Sequence, residues 1–238
     1  MHTHMLKSEY MRILFLRTLG NFLVLFSLYM LSWVFYKPLV EEVKYTANKI
    51  TGHRFIVVDE MDSDPHFRST SGSVEKGLLA QALNLNNVEV MIPKDPNFSV
   101  VIPKLGANAN VIANVNPADE GIYKDALQRG VAHAEGSKLP GEDGHIYLFA
   151  HSTNTFANVG QYNAVFYLLY KLENGDEINL YYQGIRHKYI VTGKEIVNPS
   201  DVHYLTRKTD REFLTLQTCW PPGTIHQRML IFAEPAVR

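Results

Sequence analysis

Hydrophobic residues follow two different patterns along this chain of 238 residues. From Leu19 to Tyr36 they form one continuous run without a charged residue. Extending the run back to Ile13 adds one charged residue, Arg17, whose long side chain can reach the lipid headgroups. A helix needs about 20 apolar residues to cross a bilayer, and this run is long enough. The pattern predicts a transmembrane signal anchor over residues 13–36, preceded by a tail at residues 1–12.

The charges on either side of this run predict its orientation. Lys7, Arg12 and Arg17 lie before or within its start, whereas the two lysines that follow it are offset by two glutamates. The positive-inside rule therefore predicts a single-pass protein of the cell membrane, with a cytoplasmic N-terminus and an extracytoplasmic remainder. A cleaved signal peptide is the less favoured alternative, because it needs a shorter apolar core and a small-residue cleavage site. The flanking sequence "WVFYKP" has no such site.

Beyond the anchor, hydrophobic residues occur in short runs. Residues 37–86 are predicted to be an extracytoplasmic stalk or linker, with a helix or stalk from Lys37 to Thr51 and a polar loop at Ser63–Ser73. From residue 87 onward, runs rich in Val, Ile, Tyr and Phe alternate with clusters of turn-forming residues. This spacing predicts a mainly all-β domain, a sandwich or barrel, over residues 87–238.

Eight strands, two short helices and one tight turn are predicted in this domain. The strands are Val88–Ile92, Val100–Pro103, Ala109–Val115, Ile146–Ala150, Glu177–Tyr182, Ile185–Val197, Phe213–Thr218 and Met229–Ala233. The helices are Tyr123–Gly130, which ends on a glycine, and Val165–Tyr170. The turn is Glu173–Asp176, whose Asn-Gly pair favours a β-hairpin.

Charge and cysteine content exclude some classes of function. The formal net charge is −1, so no excess of basic residues supports binding to nucleic acid. A single cysteine cannot form an internal disulfide bond. No CxxC pair, HExxH motif or P-loop is present, and the histidines show no metal-ligand spacing. We therefore expect neither a metal nor a cofactor.

The single cysteine, Cys219, lies at the end of a predicted strand, just before "WPPGT". Alternate side chains of a strand point to opposite sides, so Cys219 shares a side with Thr215 and Gln217 rather than with the neighbouring leucines. A lone cysteine is often only a small buried apolar residue. An unpaired thiol in an exported protein is prone to oxidation, however, and its retention favours a use in chemistry.

Arg228 opens the next predicted strand, directly after the loop that follows Cys219. If the two strands pair as antiparallel neighbours, Arg228 faces Cys219 across the mouth of that loop. A guanidinium near a thiol favours the thiolate, and it can also stabilise an oxyanion. A surface arginine with no role in chemistry is the alternative.

His151 is the histidine best placed to act with the cysteine. It directly follows the apolar run Ile146–Ala150, so a strand carries it to a fixed position. A thiolate nucleophile commonly uses histidine as its acid/base partner. His145 lies on the same side, but six strand residues separate it from His151 by about 20 Å. A purely structural role is the alternative for either histidine.

Taken together, these residues resemble the sortase family of cysteine transpeptidases. The resemblance rests on "LTLQTC", on the arginine nine residues after the cysteine and on the upstream strand that ends in "FAHS". It extends from about Val88 to Glu234 and includes "IPKLGANANVIANV" and "LYKLENGDEINLYY". Ala150 stands where sortases commonly have a glycine before the histidine.

The resemblance implies a fold and a set of roles. The fold would be a sortase-like eight-stranded β-barrel with short helices, behind the N-terminal transmembrane helix. Cys219 would be the nucleophile, His151 the general acid/base and Arg228 the transition-state stabiliser. Thr218 would shape the substrate pocket.

The family likewise implies partners and a reaction. The substrate would be a secreted protein with a C-terminal LPxTG-like sorting signal, cleaved through a thioacyl-enzyme. The acceptor would be an amine on a cell-wall peptide or on another surface protein, and the lipid bilayer would hold the N-terminal helix. Two alternatives remain: a hydrolytic cysteine protease, and a catalytically silent anchored β-domain that binds peptides.

Overall fold

The fold is taken from a computed structural model, which describes residues 2–57, 88–152, 166–222 and 224–236. Two α-helices and ten strands form in these residues. The helices are α1, His2–Thr51, and α2, Glu120–Arg129. The strands are β1 Arg54–Val57, β2 Val88–Met91, β3 Phe98–Ile102, β4 Ala107–Val115, β5 Val131–Ala134, β6 His145–Phe149, β7 Glu177–Tyr182, β8 Ile185–Val197, β9 Phe213–Trp220 and β10 Gln227–Pro235.

Eight of these strands close into a barrel in the order β10-β8-β7-β3-β4-β5-β6-β9, with β9 pairing back to β10. Two pairs are parallel, β4 with β5 and β6 with β9, and the other pairs are antiparallel. A parallel pair needs a crossover connection, and α2 provides it between β4 and β5. The predicted eight-stranded barrel is confirmed.

Alternating side chains fill the barrel interior. The contributing residues of β6, β9 and β10 are fully or almost fully buried aliphatic side chains, namely Ile146, Leu148, Leu214, Leu216, Met229, Ile231 and Ala233. Burial of such side chains is the main favourable contribution to folding, at roughly 25 cal/mol per Å² of apolar surface. The strands that carry the candidate site are therefore held in place by the core.

The eight predicted strands are not the eight strands of the barrel. The predicted strand at Val88–Ile92 forms as β2, but it pairs in parallel with β1 in a separate two-stranded sheet. Its place in the barrel is taken by β5, Val131–Ala134, which the sequence did not predict. This strand is short and buried throughout, so it shows no alternation of polar and apolar residues.

The predicted hairpin turn is also in a different place. Glu173–Asp176 forms a turn, but it leads from the short helix Leu169–Lys171 into β7 rather than joining two strands. The hairpin connects β7 and β8 through Gln183 and Gly184. Both residues have positive φ angles, as a two-residue type I′ hairpin turn requires. Of the predicted helix Val165–Tyr170, the first residue lies outside the described residues and the last two belong to that short helix.

Helix α2 begins earlier than predicted, after the N-cap Asp119, whose side chain accepts a hydrogen bond from the Ile122 N–H. Gly130 follows the helix with an extended φ of 177°, so it is not a left-handed helix stop. A glycine is nevertheless required, because a Cβ there would come within 2.3 Å of the Asn110 carbonyl oxygen. This close approach fixes the end of α2 against β4.

The N-terminal region contains the candidate anchor. Within α1, residues Glu9–Trp33 are long and apolar enough to cross a membrane, by length and composition. They overlap the predicted segment 13–36. In the predicted stalk 37–86, α1 continues to Thr51 and β1 follows it. Residues 58–87, including the predicted loop Ser63–Ser73, lie outside the described residues.

Candidate active site

Cys219 lies on β9, the middle strand of three that meet at one end of the barrel wall. On one side, β10 pairs antiparallel with β9, and Arg228 is the direct partner of Cys219 in the register. On the other side, β6 runs parallel to β9, with Phe149 opposite Gln217. The arginine faces the cysteine across the loop mouth, as the loop length predicted.

His151 is brought to the same place from β6. The Ala150 N–H donates to the Gln217 carbonyl oxygen at 3.1 Å, so pairing with β9 continues one residue beyond β6. The Thr218 hydroxyl donates to the Ala150 carbonyl oxygen at 3.2 Å. Because Ala150 is bonded to both residues, the backbone of His151 follows β6 at the level where Cys219 follows Thr218 on β9.

The side chains of β9 divide as the sequence predicted. Leu216 and Thr218 are buried on the interior side, whereas Gln217 and Cys219 are only partly buried. Arg228, paired with Cys219, is also partly exposed. The thiol and the guanidinium are therefore on the accessible side of the wall, where a peptide could reach them.

Thr218 has a different geometry from the other predicted site residues. Its side chain is 3% exposed and points to the opposite side of β9 from Cys219. Its hydroxyl is bonded to the carbonyl of the residue before His151. The contact that the structure gives Thr218 thus acts on the position of the histidine.

The Arg228 guanidinium is anchored to the loop that follows β9. Its Nη1 donates to the Ile225 carbonyl oxygen at 3.0 Å and to the Gln227 carbonyl oxygen at 3.1 Å. Within the described residues, Nε and Nη2 have no hydrogen-bond acceptor. A fixed guanidinium with remaining donors is suited to hold a carbonyl oxygen or an oxyanion.

The electrostatic environment favours the neutral forms of the cysteine and the histidine. Burial raises the pKa of Cys219 above its ordinary value of 9.0, and the Arg228 charge opposes this increase. Burial lowers the pKa of His151 below 6.5, and the Lys124 ammonium on α2 lowers it further. A thiol and a neutral imidazole, with one titratable proton between them, are therefore the main resting forms at neutral pH.

Tyr147 and Gln217 also lie at the candidate site, and the sequence did not predict them as site residues. The Tyr147 hydroxyl donates to the Gln217 Oε1 at 2.5 Å, on the side of the wall that carries Cys219. The Arg228 charge acts on the Tyr147 phenol as well. The one indication in the sequence was strand alternation, since it puts Tyr147 on the same side of β6 as His151 and Gln217 on the same side of β9 as Cys219.

The other histidine of β6 does not join the site. His145 is 4% exposed, and its Nε2 lies 2.8 Å from the Thr215 hydroxyl, near the opposite end of the strand. Among the described residues, no group of three or more His, Cys, Asp or Glu side chains is arranged to hold a metal ion. The chemistry available at this place is that of a thiol, an imidazole and a guanidinium.

Comparison with known proteins gives the same family for this fold and site. Residues 100–236 match the family model of the sortase domain. Over 136 residues the chain is 29% identical to Sortase D of Bacillus subtilis (strain 168), an alignment that covers 56% of this chain and 60% of that protein. The chain thus matches about three fifths of the length of that curated relative.

Among solved structures, sortase C-1 from Actinomyces oris is similar, with a TM-score of 0.50 and 25% identity over 69% of this chain and 97% of that one. The Clostridium perfringens Sortase D5 transpeptidase has a TM-score of 0.48 and 20% identity, over 72% of this chain and 94% of that one. The family model covers more than half of the chain, and the protein belongs to the sortase family.

Proposed function

We propose that this protein is a membrane-anchored cysteine transpeptidase. It would cleave an LPxTG-like sorting signal at the C-terminus of a secreted protein and join that protein to an amine of a cell-wall peptide or of another surface protein. One observation carries the proposal. Cys219 lies on β9 between Arg228, its direct partner on β10, and the end of β6, which leads into His151.

In the first half-reaction, the Cys219 sulfur attacks the carbonyl carbon of the scissile peptide bond. The thiol proton passes to His151, which then donates it to the nitrogen of the departing amine as the C–N bond breaks. Arg228 donates hydrogen bonds to the carbonyl oxygen, which carries negative charge in the tetrahedral intermediate. The product is a thioacyl-enzyme together with the released C-terminal peptide.

In the second half-reaction, an acceptor amine attacks the thioester carbon. His151 takes a proton from the amine and returns it to the Cys219 sulfur as the C–S bond breaks. The thioester retains the energy of the cleaved amide bond, so the ligation needs no ATP, and oxidation states do not change. Thr218, proposed as a residue of the substrate pocket, would also position His151 through its bond to Ala150.

The proposed position of the protein in the cell membrane fits the role of a transpeptidase for secreted proteins. The apolar part of α1 would anchor the protein in the cell membrane, with the N-terminus in the cytoplasm and the barrel outside. Substrates that leave the cell through the same membrane would then pass close to the site. The neighbouring segment, residues 37–86, would serve as the stalk or linker between the anchor and the catalytic domain 87–238.

The test uses the full chain in detergent micelles and a set of sorting-motif peptides that includes LPxTG. Intact-mass spectrometry should detect a thioacyl adduct on Cys219, and adding hydroxylamine, a small amine, should convert the acyl product from acid to hydroxamate. The Cys219→Ala protein should form neither product. Transfer by Cys219→Ala at the rate of the unmodified protein would contradict the proposal.

The same experiment separates the two alternatives. Release of the acid alone, at any hydroxylamine concentration, would indicate a hydrolytic cysteine protease. Peptide binding without an adduct, together with labelling of Cys219 by a thiol-reactive peptide mimic that does not depend on His151, would indicate a silent binding domain.

A further inference from the structure

Gln217 is the residue nearest to Cys219 on the accessible side of β9 for which the proposed mechanism has no use. It is partly buried, and its side-chain oxygen accepts a hydrogen bond of 2.5 Å from the Tyr147 hydroxyl. Tyr147 lies on the neighbouring strand β6 and is 3% exposed. A buried side chain thus holds one end of the Gln217 amide.

This bond determines which end of the amide is available. Burial raises the pKa of Tyr147 well above its ordinary value, so the phenol keeps its proton at every physiological pH and remains a donor. A donor to Oε1 leaves the amide nitrogen on the other side, and that nitrogen carries two N–H donors. In the part of the chain that the structure describes, the Gln217 Nε2 has no acceptor.

The distance along the strand matches the repeat of a peptide. Gln217 and Cys219 are two residues apart on one strand, so their side chains are separated by about 6.5–7 Å on the same side. An extended substrate peptide that lies along β9 has the same repeat, and every second carbonyl points in one direction. A peptide whose scissile carbonyl lies at Cys219 then presents a second carbonyl beside Gln217.

We propose that Gln217 positions the substrate. Its amide N–H group donates a hydrogen bond to the main-chain carbonyl two residues from the one that Cys219 attacks, and Tyr147 is the positioning residue that holds the amide in this orientation. This inference rests on the proposed transpeptidase function, because it needs an extended peptide in front of Cys219. It goes further, since it assigns a contact to a particular carbonyl of that peptide.

The first test measures steady-state kinetics of the full chain in detergent with an LPxTG-type peptide. Loss of one hydrogen bond should raise KM about fivefold to tenfold in Gln217→Leu, with kcat changed less than about twofold. Tyr147→Phe removes only the hydroxyl and should raise KM by a smaller factor. Because the two residues act as one unit, Tyr147→Phe should add nothing in the Gln217→Leu background.

Tyr189→Phe is the matched control. Tyr189 is also buried, and its hydroxyl donates a 2.5 Å hydrogen bond to Glu212, which precedes the first residue of β9. Its removal should lower thermal stability at least as much as Tyr147→Phe does, because its acceptor is a carboxylate, with KM unchanged. Near-UV circular dichroism gives the folded fraction of each preparation, so an unstable variant still gives interpretable rate constants.

The second test identifies the acceptor. A thioamide accepts hydrogen bonds less well than an amide, so a peptide with a thioamide two residues before or two residues after the scissile carbonyl should have a higher KM. At one of these positions the increase should be present with the unmodified enzyme and absent with Gln217→Leu. Unchanged KM in Gln217→Leu, or equal thioamide effects in both enzymes at both positions, would overturn the inference.

Failure of this inference and failure of the proposed function give different results. If the transpeptidase proposal fails, the unmodified protein forms no thioacyl adduct. If only the role of Gln217 fails, the unmodified protein is active and the variants match it.

Discussion

The two ends of the β6–β9 pair have similar side chains and different environments. At the start of β6, His145 lies beside a hydroxyl, that of Thr215, at 2.8 Å, and both residues are almost fully buried. Arg207 is nearby, with its guanidinium over the rings of Phe213 and Phe232 at 5.2 and 5.1 Å. This end, which we call the closed end, has a histidine, a hydroxyl and an arginine that all have partners.

At the other end, which we call the open end, the corresponding groups are His151, Cys219 and Arg228. The imidazole and the thiol are partly exposed, and neither has a hydrogen-bond partner among the described residues. The comparison shows that residue type alone does not make a site. A histidine with a buried partner stabilises the fold, whereas a histidine with none remains available to a substrate.

The largest difference between the two ends should come from β9. Cys219→Ala should abolish thioacyl formation and lower the rate of peptide cleavage by about 10⁴-fold or more, because it removes the nucleophile. Thr215→Val at the closed end should leave kcat/KM of the folded protein unchanged and cost about 1 kcal/mol of unfolding free energy. Mass spectrometry and urea unfolding measure the two effects, and a comparable loss of activity in Thr215→Val would break the comparison.

Substitution of His151 at the open end should affect activity, whereas substitution of His145 at the closed end should affect stability. His151→Gln should reduce kcat by about 10²- to 10⁴-fold, the usual contribution of general acid/base catalysis. His145→Gln should lower the melting temperature and keep the activity per folded molecule. Stopped-flow kinetics and calorimetry on both variants check this pair. If His145→Gln were the less active variant, the acid/base would have been assigned to the wrong end.

Two substitutions of Arg228 should separate the effect of its charge from the effect of its hydrogen bonds. Arg228→Ala should lower kcat/KM by about 10²- to 10³-fold, the effect expected for the loss of an oxyanion donor. It should also move the alkaline limb of the pH profile upward, because the Arg228 charge lowers the pKa of Cys219. Arg228→Lys keeps the charge and should leave that limb nearly in place. An alkaline limb at the same pH in Arg228→Ala and Arg228→Lys would exclude an effect of the Arg228 charge on Cys219.

The pH dependence of activity should be a broad bell. The working form has one proton between Cys219 and His151, so activity falls when both are protonated or both are deprotonated. The acid limb should lie below pH 6.5 and the alkaline limb above pH 9.0, given the directions of the two shifts. Lys124→Gln should move the acid limb upward, since its charge lowers the pKa of His151. Lys94→Gln, another exposed lysine, is the control and should move neither limb.

The smallest effect should be a pH dependence of stability at the closed end. Burial first, and then the Arg207 charge, lowers the pKa of His145 from 6.5 to about 4 in the folded protein. The unfolded chain therefore binds more protons than the folded chain between these values. Stability should be fully present above pH 6.5 and should fall as the pH decreases toward 4. The His145→Gln protein should lose less of its melting temperature over this range, as calorimetry can measure.

Local patterns account for the parts of the site that the sequence predicted. The bounds of β7 and β8 agree with the predicted runs Glu177–Tyr182 and Ile185–Val197. The pairing of Cys219 with Arg228 followed from the short loop between two adjacent strands, because a short loop brings such ends together. The placement of His151 at the exit of a strand followed from the apolar run before it.

Contacts between distant segments account for what was missed. Strand β5, with the sequence VAHA, has only one β-branched residue, Val131, and it becomes a strand because β4 and β6 pair with it. The contact between Tyr147 and Gln217 depends on the parallel pairing of β6 with β9, two strands separated by more than 60 residues of chain. No local pattern specifies such a pairing.

By itself, the sequence of this protein determined the apolar N-terminal segment, most of the strands and the candidate reactive groups. These depend on hydropathy, alternation and residue chemistry, which act over a few neighbouring residues. Only the tertiary structure decided which strands close the barrel and which histidine is sealed beside Thr215. Only it brought the Gln217 amide to the Tyr147 hydroxyl, because these arrangements depend on packing between segments that are far apart in the chain.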